Sequence, residues 1–410
     1  MASRSALCAP SFLIRCPGGA AVPPARGGTT KSGRDARAPR VCYLLIILPV
    51  AGILAGQTAR APQDLLKEAE LLHRAGKFDQ AIEDYRLLLK QYPDVAPVRS
   101  DLGAALAAAG RYEEAIVEYE GALKLQPLPQ IRLNLALAYY KAGKIALAVE
   151  DLKKVHEDMP DDVRPVMLLA DCYLRLGENK KVIELLDPLQ PTHGEDLAFV
   201  YLLGTALVRD GQVASGQVII DKILKNGDSA EARLLMGTTK MMVHDDPGAL
   251  VDLQKAVELN PNLPDVYAYY GLALLANANP DKAYDAFRRA LERDPNDFES
   301  NLRMGVLLRR EEKYDAALQY FHHALEVRPG DFGARYQIAS LTLAAGQVEQ
   351  ARRDLESIVK QAPNFTEAHV SLATAYYREK RKADGDRERA IVDKLTVERQ
   401  AADKGEKPAQ

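Results

Sequence analysis

Seven histidines, four cysteines and 57 acidic residues are the side chains from which this 410-residue chain could build a metal site, a nucleophile or an acid–base pair. Their spacing supports none of these. The histidines are His73, His156, His193, His244, His322, His323 and His369, and only His322 and His323 are adjacent. Neighbours on a helix diverge by about 100° and do not face a common ion. Exposed positions on helices are the plainer reading. H-E-x-x-H and the phosphate-cradling G-x-x-x-x-G-K are both missing from the sequence. Cys8, Cys16 and Cys42 lie near the start, which leaves Cys172 alone in the body, unable to form a disulfide there. Set between Asp171 and Tyr173, it reads as a small apolar core residue. Carboxylates are abundant without forming a conspicuous pair. The expectation is a chain that is not an enzyme and holds neither metal nor cofactor.

Charge narrows the partners. Lys and Arg number 54 against 57 Asp and Glu, but residues 1–60 carry eight cations and one acid, so the remainder has a net charge of −10. A mildly acidic body argues against nucleic acid, whose phosphates call for a basic face. Trp is absent, and Ala, Leu, Tyr, Glu, Lys and Arg dominate, a composition that favours helix.

Residues 1–61 form a basic N-terminal segment ending in an apolar stretch. Residues 1–40 are rich in Pro, Gly, Ala, Ser and Arg, and 41–55 read VCYLLIILPVAGILA. This run falls short of the ~20 residues of a membrane span. It fits the apolar core of an export signal, with Ala59-Arg60-Ala61 offering a cleavage site. An uncleaved membrane anchor is the main alternative, and an Arg-rich organellar presequence a lesser one. The expected location is therefore exported, periplasmic or extracellular, or anchored by this segment, which is the sole expected membrane contact.

The elements that would position any site come from a repeat. Small residues recur at Ala69, Gly103, Ala136, Ala170, Gly204, Gly237, Gly271, Gly305, Ala339 and Ala373, at nearly constant intervals. A second series keeps a fixed distance behind the first, with Ala81 following Ala69 and Ala115 following Gly103, on to Ala317 and Ala351. Four residues further on come large apolar residues, among them Tyr85, Tyr119, Phe287 and Phe321. This grammar predicts two short helices per unit, with small residues where they approach and the large residue filling the space between hairpins. Gly76, Gly110, Gly143, Gly177 and Gly211 are expected to end first helices in a left-handed turn. Prolines such as Pro93, Pro127, Pro295 and Pro329 close units. Asp246-Pro247 and Asn279-Pro280 look like a cap and first-turn proline.

These units resemble tetratricopeptide repeats, most clearly in AAGRYEEAIVEYEGALKLQP at 108–127 and REEKYDAALQYFHHALEVRP at 310–329. The resemblance covers residues 62–380. It implies an all-α fold, a right-handed superhelical solenoid of about ten helical hairpins. A C-terminal capping helix is expected over 381–402, and a disordered tail over 403–410. Some residues depart from the pattern. Glu68, Lys240 and Thr342 replace apolar residues. The fourth and fifth units lack a closing proline, marking 182–229 as irregular. The spacing fails after Tyr377, where Ile391 and Leu395 suggest a single docked stripe.

The resemblance also implies where a partner sits: a concave groove lined by the first helix of each unit. Carried onto this sequence it is apolar with interspersed aromatics, including Tyr140, Tyr201, Tyr336 and Tyr377. Five residues after the small residue of the first helix stand Lys141, Arg175, Arg209, Arg310 and Arg378. They read either as a basic ridge for carboxylates or as cations favoured at helix C-termini. The asparagine and lysine pattern of chaperone-tail binders is missing. The implied function is a scaffold that binds a protein or peptide, acidic in one reading, within a larger complex. A chaperone-like holdase or a non-catalytic accessory subunit is the alternative.

Overall fold

The computed structural model describes residues 61–225 and 227–403. The apolar stretch at 41–55, the basic residues before it and the end of the tail lie outside the described residues. All of the regular structure described is helical. Ten hairpins follow one another: α1 (Pro62–Arg74) with α2 (Phe78–Gln91), α3 (Ala96–Ala108) with α4 (Tyr112–Leu125), and α5 (Pro129–Lys141) with α6 (Ile145–Asp158). The fourth is α7 (Val163–Leu176) with α8 (Asn179–Leu186), which runs on through a 3-10 turn, η1 (Asp187–Leu189), and the short α9 (Gln190–His193). Then come α10 (Leu197–Arg209) with α11 (Val213–Leu224), α12 (Ala230–Met242) with α13 (Asp246–Leu259), and α14 (Val266–Ala276) with α15 (Pro280–Arg293). The last three are α16 (Phe298–Arg310) with α17 (Tyr314–Val327), α18 (Phe332–Ala344) with α19 (Val348–Gln361), and α20 (Thr366–Arg378) with α21 (Lys382–Asp403).

The small-residue series has a direct steric cause. A Cβ on Gly103 would lie 2.9 Å from the Tyr119 ring, on Gly271 2.6 Å from Phe287, and on Gly305 2.5 Å from Phe321. The large residue therefore lies over the small residue of its own hairpin. It also reaches the next hairpin, as expected: Phe321 packs with Leu341 of α18.

A second tie closes several hairpins. Arg99 meets Glu118, Arg132 meets Asp151, Arg233 meets Asp252 and His369 meets Glu388, at 2.9, 2.8, 2.7 and 2.6 Å and always 19 residues apart. Three of the same kind of first-helix residue also bond the carbonyl of the proline that closes the preceding unit: Arg99 to Pro93, Asn301 to Pro295, and His369 to Pro363.

The last of these ties corrects the C-terminal boundary. With Gly385 standing one repeat length after Ala351 and packed against Tyr377, α21 keeps the repeat's register. It is the second helix of a tenth hairpin, held by His369 and Glu388, and not a helix docked by one stripe beyond the repeats. The irregular stretch is as expected: α8 has eight residues and α11 twelve, against fourteen in most second helices.

Caps differ in detail. Asp245, one residue before the expected Asp246, accepts from Gly248 N at 3.1 Å. Asn279 does occupy the N-cap, yet its amide turns to the Asn277 carbonyl instead of capping. The five expected glycines do adopt positive φ, from 75° to 82°. The equivalent turns of four other hairpins use His244, Ala278, Glu312 and Lys380 at φ 58–61°. A side chain there costs ~1–2 kcal/mol. Ala278→Gly is expected to raise stability by about 1 kcal/mol, offset in part by the freer unfolded chain. Urea denaturation checks it, and no gain would mean that the turn is relaxed.

One half-buried acid gives a pH signature. Burial, and after it the charge of Glu70, pushes the Asp101 carboxyl up to about 6 from 3.8. The folded state then prefers the protonated form. Ionising Asp101 costs stability progressively from pH 3.8 to about 6, and the full cost persists above that. Asp101→Asn is expected to stabilise the protein at neutral pH by on the order of 1–2 kcal/mol. The advantage should shrink towards zero by about pH 4. Melting curves of both proteins across this range provide the check.

Candidate protein-binding site

The structure divides the expected ridge and groove in two. In the middle hairpins Leu133, Met167, Leu234 and Ala268 on the expected concave face are each no more than 5% exposed, while Leu137, Tyr201 and Leu272 are half-buried. In the eighth and ninth hairpins the same face is half-buried, and in the tenth it is open. Leu302, Val306, Tyr336 and Ser340 are half-buried, Thr374 is exposed, and Val370 and Tyr377 are 48% and 36% exposed.

The cations divide likewise. Arg175, at the end of α7, donates through Nη1 to Asp294 at 2.5 Å and through Nε to the Tyr140 hydroxyl at 2.9 Å. Tyr140 donates in turn to Asp171, and its ring lies 4.7 Å beneath the Arg175 guanidinium. Arg209, at the end of α10, donates to Asp265 at 2.7 Å and lies 5.3 Å from the Tyr269 ring. Two members of the expected ridge are therefore neutralised by carboxylates of the same chain. Carboxylates are what the ridge was expected to attract, so these two guanidiniums do not present a free basic lip. Arg378 donates to the Leu343 carbonyl at 2.6 Å, across to the end of the preceding first helix. This is the cation-at-a-C-terminus role. Lys141 is exposed, with its ammonium 5.7 Å from the Tyr140 ring. Arg310 is exposed and makes no ion pair among the described residues.

The aromatic positions also have internal roles. Burial, and after it the carboxylates Asp171 and Asp265, push the phenols of Tyr140 and Tyr201 up. Both are therefore neutral hydrogen-bonding groups at any physiological pH. Tyr336 packs edge-on against Phe365 and stands 3.4 Å from the Ser371 hydroxyl. Tyr377 covers Gly385 and donates to Asp386 at 2.8 Å. Val208 likewise covers Gly216, so this first-helix position faces the partner helix of its own hairpin.

Sequence reasoning missed the loop residues that reach these first-helix ends: Asp265 and Asp294, which meet the cations, and Asn296 and Arg328, which lie against Gly143 and the Arg175 carbonyl. Asp265 stands at the N-cap of α14 with φ 61° and makes no capping bond. Arg328 crosses to the end of α7 and donates to the Arg175 carbonyl. Each loop residue reads locally as a turn or cap residue, so nothing in its spacing signals a partner more than fifty residues away.

Other candidates take structural roles. Cys172 is fully buried, and burial pushes its thiol up, away from the reactive thiolate. His369 was expected to be exposed, but it is buried in α20, with both ring nitrogens facing oxygen atoms. No cluster of three metal-ligating side chains occurs among the described residues. No helix among them is long and apolar enough to cross a membrane.

Comparison with known proteins agrees with the geometry. Profiles of the tetratricopeptide repeat match residues 66–130, 139–199, 264–307 and 308–376. The Vi polysaccharide export protein VexE of Salmonella typhi is 38% identical over 100 residues, 23% of this chain and 15% of that protein. Protein CTR9 homolog of Arabidopsis thaliana is 24% identical over 131 residues, 32% of this chain and 12% of that protein. TPR repeat-containing protein MJ1428 of Methanocaldococcus jannaschii is 23% identical over 229 residues, 51% of this chain and 40% of that protein. The chain thus spans less than half the length of each. Stacked hairpins, the small-residue contacts that close them and the matched profiles together show that the chain belongs to the tetratricopeptide repeat family.

Proposed function

We propose that this chain is a scaffold that holds a partner protein against the concave face of its eighth to tenth hairpins, within a larger complex. The observation that carries this reading is the contrast in exposure along the concave face. It is closed at Leu133, Met167, Leu234 and Ala268 in the middle hairpins and open at Val370 and Thr374 in the tenth. Half-buried Leu302, Val306 and Tyr336 offer apolar anchors beside it, the arrangement that suits a helical or extended peptide. Any preference for acidic partners rests on Arg310, since Arg175 and Arg209 already hold carboxylates. The apolar stretch at 41–55 is the support for placing the scaffold outside the cytoplasm or at a membrane.

The test is affinity capture with the full chain and with Val370→Glu/Thr374→Glu, from envelope and soluble fractions of the host. A partner retained by the wild-type chain and lost by the variant at equal helical content supports the reading. Partners held equally by both would place binding elsewhere. Recovery of all of the chain from the cytosol with residues 1–61 intact would overturn the proposed location.

A further inference from the structure

We propose that the solenoid carries an intramolecular clasp across its middle, and that the concave positions of the third to sixth hairpins become accessible when it releases. Four contacts make the clasp. Arg175 meets Asp294, 119 residues away, and Arg209 meets Asp265, 56 residues away. Arg328 reaches the carbonyls of Leu174 and Arg175 while its guanidinium stacks 4.0 Å from the centre of the Phe298 ring. Gly143 completes the set: a Cβ there would lie 2.6 Å from the Asn296 side chain. All four join first-helix ends of the third to fifth hairpins to the loops that precede α14, α16 and α18.

These contacts are not part of what folds a hairpin array. Each repeat of a solenoid needs only its nearest neighbours, and the clasp bridges hairpins up to four apart. It can therefore open without unfolding any hairpin. Arg328 satisfies the Arg175 carbonyl at the end of α7, where the helix dipole favours a cation, and adds a longer contact to the Leu174 carbonyl, which already accepts from Gly177 N. Asp265 gives up a helix-capping bond and sits at φ 61° to reach Arg209, a strained arrangement that the ion pair must offset. Half-buried ion pairs lose in desolvation much of what they gain in attraction, so their net hold is small. Arg209 Nε, moreover, is buried without a partner among the described residues. Burial, and after it the charge of Asp265, pushes the nearby Asp297 carboxyl up, a further sign of crowded acids. A contact of small net stability between separately folded segments is one that ligands can shift.

The test uses the full chain and no partner, so its failure leaves the scaffold reading standing, and failure of that reading leaves the clasp standing. Small-angle X-ray scattering and amide exchange are measured for wild type and for Asp265→Asn/Asp294→Asn. The wild-type radius of gyration should match the closed structure. The variant should be larger at unchanged helical circular dichroism, with exchange at the end of α7 and the start of α14 and α16 at least ~10-fold faster. If that variant loses helicity, Arg328→Met decides by the same readouts. Scattering and exchange indistinguishable from wild type in a folded variant would overturn the clasp, as would a wild-type chain already extended in solution.

Discussion

Phe321→Ala is expected to cost about 3–5 kcal/mol, the range for deleting a fully buried aromatic side chain. The ring is 0% exposed and lies against Gly305, the small residue of its own hairpin. It also packs with Leu308, Ala317 and Leu341, so it joins α16, α17 and α18. Neither the glycine nor the fixed helix spacing can close the void, because a solenoid hairpin is pinned on both sides. Stability in a repeat array is close to a sum over units and their interfaces. The loss should therefore be local. Exchange should quicken in the seventh to ninth hairpins and stay near wild type in the first three. Chemical denaturation followed by exchange mass spectrometry gives both quantities. A loss below about 1 kcal/mol would mean that the ring is not the element holding the hairpin together.

The contrast between Phe321 and Asp294 explains how much of this molecule is legible in its sequence. Gly305 and Phe321 belong to the two helices of one hairpin and touch within it, so steric demand repeats with the unit and shows as a period. The left-handed turns were visible where glycine fills them. They were hidden at Ala278 and Glu312, where tertiary packing forces a residue of another type into the same conformation. The tie of first to second helix was periodic yet overlooked, because its chemistry varies: Arg with Glu, Arg with Asp, His with Glu. Overlooking it is what made the second helix of the tenth hairpin read as a capping helix docked by one stripe.

The candidate site was legible only in part for a different reason. Which face of each first helix is concave follows from the hairpin. How tightly successive hairpins wind does not, since it is set by small rotations summed over many units. Arg175 and Arg209 were identified as concave cations, but the winding decides whether a partner or the chain itself meets them. Asp294 and Asp265 reach them from loops 119 and 56 residues away, a separation that leaves no local pattern.

Asp252→Ala is expected to destabilise the sixth hairpin by about 3 kcal/mol, the low end for removing one partner of a buried ion pair. Its side chain is 2% exposed and lies 2.7 Å from both Arg233 Nη1 and Lys240 Nζ. Lys240 is the residue that interrupts the apolar pattern of α12, and this carboxylate is the reason it can. The cost stays at the low end because Arg233 keeps Asp228 at 2.7 Å and Lys240 is 36% exposed, so both stranded cations retain some solvation. The decisive comparison is Asp252→Leu/Lys240→Leu. Replacing a buried pair by apolar residues of similar volume is often neutral or stabilising. The double variant should therefore recover most of the loss, with a coupling energy above about 1 kcal/mol in a double-mutant cycle. Simple additivity of the two single losses would mean that each charge is satisfied independently, by water or by Asp228. Strong coupling would establish that Lys240 and Asp252 act as one polar unit, and that the break Lys240 makes in the apolar pattern is compensated within its own hairpin.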